Sequence, residues 1–185
     1  MASDIEICNR ALVAIGQEPV LTLDESSKES RRCKQLYPAA RDTVLRAYPW
    51  SFALRRQYAA REDVSVPFGY LYKYALPTEC LRLVNVLIDD SLYTLEGRSI
   101  LTDEQRLEII YVECVTDPNK FDQGFEECLV LRLAADLCPS LLADYDLMKY
   151  YEQKYQAALA SARHVDSTET SKPLQGEGTW ITARF

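Results

Sequence analysis

The sequence predicts an α+β protein, mainly α: a four-helix core with a small antiparallel β region inserted between helices 2 and 3, and an extended C-terminal tail. Three observations carry this expectation. Apolar residues recur at steps of three and four toward both ends of the chain, the middle turns to short runs rich in Tyr, Val, Ile and Leu, and the composition shifts again from Ser167 onward. At 185 residues and 48% hydrophobic, the chain can bury a real core in one domain with an extension.

Ser3 and Glu6 have the spacing of a capping box, after which Ile5, Cys8, Leu12 and Ile15 mark the inner face of a short first helix that Gly16 stops. Ser26 and Glu29 repeat the signal. Cys33, Leu36, Tyr37, Ala40, Val44 and Tyr48 then line one face of a second helix up to Pro49, with a kink expected near Pro38, which lacks an amide donor. The segments "YLYKYALP", "CLRLVNVLID", "SLYTLEGRSILTD" and "RLEIIYVECV" read as strands of a small antiparallel sheet, and Glu96-Gly97-Arg98 marks a hairpin. Phe121, Phe125, Cys128, Leu129 and Leu133 carry a third helix toward Pro139. A fourth starts near Ser140 or Asp144, its stripe formed by Met148, Tyr151, Tyr155, Ala158, Leu159 and Ala162. The expected organisation is a domain over residues 1–166, with the β region at about 68–116, and an arm over residues 167–185.

That arm, "STETSKPLQGEGTWITARF", cannot bury enough surface to fold alone, yet its tip keeps Trp180, Ile181 and Phe185 as large anchors. It either orders on a partner or lies along its own domain.

Most chemistry is disfavoured by what the chain lacks. No apolar run approaches the roughly 20 residues of a membrane helix, and "MASDIEICNR" lacks the order of a signal peptide, so a soluble protein made in a cytosol is expected. The six cysteines form no C-x-x-C pair and sit mostly among Leu, Val and Ala, the setting of reduced core thiols. The single histidine, His164, rules against a His-rich metal site and falls near the end of a surface helix, a poor place for a catalytic base. The glycines offer no phosphate-binding loop. Glu126-Glu127 and Asp89-Asp90 are neighbours whose side chains diverge, unlike a glycosidase pair. No catalytic residue, cofactor or metal is therefore expected. Twelve tyrosines and two tryptophans suit a contact surface, although many serve a core.

Charge is the sharpest feature. Residues 28–61 hold nine Lys or Arg and two acids, a net of +7, whereas the rest of the chain carries −14 and the whole −7. Three readings stay open. The island is a phosphate footprint, a solvated helix face, or a basic patch that meets an acidic patch on the next identical subunit. A nucleic acid approaching a chain this acidic elsewhere is repelled.

The segments "ICNRALVAIGQEPVLTLDESSKESRRCKQLYPAARDTVLRAYPWSFALRR", "YALPTECLRLVNV" and "VTDPNKFDQGFEECLVLRLAADL" together resemble the head-to-tail adaptor (connector) family of tailed bacteriophages, the tail tubular protein A or tail accessory factor type. The similarity runs from residue 4 to about 165, and "LYPAARDTVLRAYPWSFA" is its most specific part. The resemblance implies a structural virion protein without catalytic activity, located in the tail or neck and made in the host bacterial cytoplasm. It implies self-association into a ring, twelvefold, beneath the portal protein, with genomic DNA passing through the channel without sequence-specific binding and no membrane contact. The next tail component, a nozzle or tail tube protein, docks on that ring. Arg31, Arg32, Arg41, Arg55 and Arg56 are the expected subunit or portal contacts within the island, and Trp180, Ile181 and Phe185 those of the arm. A tail-associated cell-wall hydrolase and a DNA-packaging or DNA-binding protein are the alternatives.

Overall fold

The computed structural model describes residues 3–170. Four helices, α1 (Asp4–Ala14), α2 (Lys28–Ala47), α3 (Gln123–Leu141) and α4 (Tyr145–Thr170), surround one core, and seven strands fill the connection between α2 and α3. The α+β architecture expected from the sequence is the one observed.

Helix α1 starts and stops as its sequence dictates. The Ser3 hydroxyl accepts from Glu6 N at 3.2 Å. At the other end Gly16, at φ +75, lets Gly16 N reach Val13 O and Gln17 N reach Leu12 O, the paired bonds of a Schellman motif. The loop that follows is tied back by Asn9, whose side chain both donates to Val20 O (2.9 Å) and accepts from Val20 N (2.8 Å). Helix α2 is capped by Ser27, one residue later than Ser26, and runs through Pro38.

Helix α3 occupies the centre. It buries Phe125, Cys128, Leu129, Val130, Leu133, Ala134, Ala135, Leu137 and Cys138, so it is apolar nearly all round, as a helix packed on several sides must be. It continues through Pro139 to Leu141. Pro139 has no N–H to donate to Ala135 O, so the last turn of the helix lacks that one bond. Helix α4 returns antiparallel to α3 after a turn in which Ala143 takes φ 54, and it runs four residues into the segment assigned to the arm.

The β region begins at Leu54 rather than near residue 68, and it forms two antiparallel sheets rather than one. Strands β1 (Leu54–Tyr58), β7 (Glu108–Glu113) and β4 (Cys80–Val86) make the first, in the order β1-β7-β4. Strands β2 (Ala60–Arg61), β3 (Tyr72–Ala75), β6 (Ser99–Thr102) and β5 (Tyr93–Glu96) make the second, in the order β2-β3-β6-β5. The chain switches sheets at buried Ala59, whose N–H bonds Leu107 O in continuation of the β1–β7 register before β2 joins the second sheet. Alternation along β7 then divides the interior: Val112 faces the helical core, and Ile109 and Tyr111 face a second core with Tyr74, Cys80, Val86, Ile100 and Leu107. Gly97, at φ +61, opens the two-residue turn between β5 and β6, a conformation that side chains resist.

Candidate interaction surface

The nine cations of residues 28–61 do not form one patch. Helix α2 spreads those from Lys28 to Arg46 over about 30 Å, and β1 and β2 carry the rest away on a different element. What each side chain touches sorts them into two groups.

The cations of the second half of α2, together with Arg55 and Arg61, are used inside the chain. The Arg41 side chain, 12% exposed, places its guanidinium 2.8 Å from Asp42 and 3.5 Å from the Cys114 sulfur. Burial works against that cation, but the Asp42 carboxylate outweighs it and raises the Arg41 pKa. Arg46 donates to Leu81 O, and Arg82 returns the bond to Arg46 O at 2.8 Å. Arg55 pairs with Glu113 at 2.8 Å across the β1–β7 ladder, and Arg61 lies 4.1 Å from the Tyr72 ring centroid.

The end of α2 is locked with equal care. A helix leaves its last carbonyls without intrahelical donors. Here Trp50 Nε1 donates to Val44 O (3.0 Å), Arg82 to Arg46 O and Arg163 Nη2 to Ala47 O (2.8 Å), the two guanidinium groups also matching the negative end of the helix dipole. Trp50 is fully buried and packs edge-on against Tyr48 and Phe125, with Phe52 and Phe121 completing the aromatic cluster. Asp166, buried on α4, accepts from Ser51 N (3.2 Å) and Ser51 Oγ (2.7 Å) and so fastens the turn after Pro49.

The first half of α2 is different. Lys28 and Arg31 are exposed and Arg32 is half-buried. Lys28 donates only to Leu141 O (3.3 Å) and Arg32 to Gln35 Oε1 (3.0 Å). Among the described residues Arg31 makes no side-chain hydrogen bond, and none of the three meets an acid. Lys34 reaches Asp24 at 2.6 Å, but both partners are largely exposed and such a pair contributes little. The exposed row continues along Gln35, Pro38, Ala39 and Thr43, a flat strip without large side chains. Arg56 is exposed and without a side-chain partner among the described residues, but it stands on β1, where it lines a groove with Leu87 and Glu108.

Of the expected contact residues, then, Arg31 and Arg32 share a surface, Arg41 and Arg55 are held within the fold, and Arg56 is apart. Trp180, Ile181 and Phe185 lie outside the described residues. The sequence reading missed Arg82, Arg163 and Asp166, each more than thirty residues distant from its partner in the chain and without a local signal.

Other candidate chemistry is spread out. Cys8, Cys33, Cys80, Cys128 and Cys138 are buried free thiols and Cys114 is half-buried. Burial pushes Cys128 up to about 11. Asp136 is also raised by burial, against the opposing pull of Arg132, which bridges it (2.8 Å) to Glu152 (3.1 Å). His164 is exposed on α4. Among the described residues no three His, Cys, Asp or Glu side chains gather to hold a metal, and no helix is long and apolar enough to cross a membrane. A shallow groove of about 650 Å³ runs along α1 past Ile5, Val13 and Val130. No protein-family model matches the sequence, and no curated protein is significantly similar to it.

Proposed function

We propose that the chain is a structural virion protein, the head-to-tail adaptor of a tailed bacteriophage, assembled as a twelvefold ring below the portal. There it extends the DNA channel and carries the next tail component. The reading starts from the resemblance over residues 4 to about 165, whose most specific string covers α2 from Leu36 and the turn that Trp50 and Ser51 lock. The observation that carries it is the first half of α2, where Lys28, Arg31 and Arg32 form no ion pair with an acid among the described residues. In a chain of net charge −7, such a strip favours an acidic partner over a free existence. An acidic exterior elsewhere suits a channel through which DNA slides without sticking. Such a role needs no catalytic group. Trp180, Ile181 and Phe185 are proposed as portal contacts of the arm.

The test is electron microscopy of purified full-length protein mixed with DNA-filled, portal-bearing capsids. A ring of added density at the portal vertex is expected. Capsids without it, together with DNA affinity that falls steeply with salt, would move the assignment to a DNA-binding protein, and release of peptidoglycan fragments would move it to a cell-wall hydrolase.

A further inference from the structure

The basic start of α2 has an acidic counterpart that it cannot reach within its own chain. The end of α2 abuts the start of β4 through the Arg46–Leu81 and Arg82–Arg46 bonds. From there β4 runs seven residues outward, about 20 Å, and β7 returns alongside it from Glu108. Beyond the far end of these strands sit Asp89, Asp90, Glu104 and Glu108, all exposed. They are held close to one another by short bonds: Tyr93 Oη donates to Asp90 (3.3 Å), Thr102 Oγ1 to Leu92 O (2.8 Å), Glu104 N to Thr102 Oγ1 (3.3 Å), and Leu87 N to Glu108 O (3.0 Å). Among the described residues none of the four acids is paired with a cation. Two cations among the described residues share this end and are outnumbered by the four acids: Arg106 is engaged over the Tyr58 ring, 3.8 Å from its centroid, and exposed Arg56 lines the same groove as Leu87 and Glu108. Hydrogen bonds from Ser91 N and Oγ hold Asp89 ionised below the usual carboxylate range.

Unpaired cations therefore stand at the start of α2, and an excess of unpaired acids over cations lies beyond its other end, across the β region. We infer that the first half of α2, through Lys28, Arg31 and Arg32, docks on the Asp89, Asp90, Glu104 and Glu108 end of a second copy. The contact is heterologous: each copy offers a basic face to one neighbour and an acidic face to the other, so repetition yields a ring or a chain and not a closed dimer. It deepens the self-association part of the function proposed above and rests on it, while naming the surface that the neighbour supplies.

A charge swap tests it without portal or capsid, so its outcome is separate from that of the adaptor assignment. Self-association of the full chain is measured by sedimentation equilibrium at low salt for three samples. These are R31E/R32E alone, D89K/D90K alone, and the two variants mixed. Each variant alone loses the charge complementarity of the contact, and each is expected to associate about tenfold or more weakly than wild type. In the mixture the two reversed patches face each other, and association returns to within about threefold of wild type. Raising salt from roughly 0.05 to 0.5 M weakens both wild type and mixture. Circular dichroism and the unfolding midpoint confirm that both variants fold. Wild-type association of D89K/D90K alone, or a mixture no stronger than its components, overturns the inference. A chain that stays monomeric in every sample overturns it as well.

Discussion

The two halves of α2 share one helix and one basic composition yet do opposite things. From Arg41 onward every cation has a partner in the chain, and the last carbonyls are met by Trp50, Arg82 and Arg163. Before Pro38, Lys28, Arg31 and Arg32 form no ion pair among the described residues. The difference teaches that a run of positive charge in a sequence is a mixture. Cations that return to the fold hold elements together, and those left over are what a partner can use.

Substitutions in the second half should break the fold, and those in the first half should not. The largest effect is expected for Trp50→Ala, which removes a fully buried ring, empties the aromatic cluster and orphans Val44 O. A loss of about 4 kcal/mol by urea unfolding is expected, and a loss below about 1 would remove the lock from the account. Arg41→Glu comes next, because it sets a second carboxylate beside Asp42 where the guanidinium was nearly buried. About 3 kcal/mol is expected, with Arg41→Gln losing less. Gly124→Ala follows. Gly124 lets α4 approach α3 so closely that a Cβ there would stand 3.0 Å from Ala162 Cβ, and that approach brings Arg163 and Asp166 to the turn after α2. About 2 kcal/mol is the expected cost of overpacking.

The interior under this half also has a pH signature. Cys128 is raised by burial to about 11 from an ordinary 9.0, so between those values the folded chain holds a proton that the unfolded chain has released. Stability from this thiol is full below pH 9 and is lost as pH rises toward about 11, by up to about 3 kcal/mol. Unfolding measured from pH 8 to 11 should show that decline, and Cys128→Ala should make it shallower while the other raised thiols and tyrosines keep part of it. An unchanged slope would deny the thiol its part.

What the sequence made legible follows from which interactions are local. The caps at Ser3 and near Ser27, the Gly16 stop and the Gly97 turn are written within a few residues of where they act, and the helical faces repeat at regular steps. Strand β1 was hidden because "LRRQY" is an edge strand with Arg56, Gln57 and Tyr58 exposed, so its composition looks like a charged helix end. The division into two sheets turns on Ala59, a residue with no turn signal. Partition of the island was illegible for the same reason: Arg41 and Arg31 differ only in what α2 turns toward, and Glu113 and Cys114, which receive Arg55 and Arg41, come from β7 and the residue after it.

The smallest stability effect belongs to the first half of α2, and it carries the central claim. The R31E/R32E variant should unfold within about 0.5 kcal/mol of wild type, since its charges are exposed or unpaired. Its co-sedimentation with portal-bearing capsids, measured beside Arg41→Gln as a fold-side control, decides the matter. The account expects a folded R31E/R32E protein that no longer builds a ring on the capsid while the control still does, and a folded R31E/R32E protein that assembles at wild-type occupancy would contradict it.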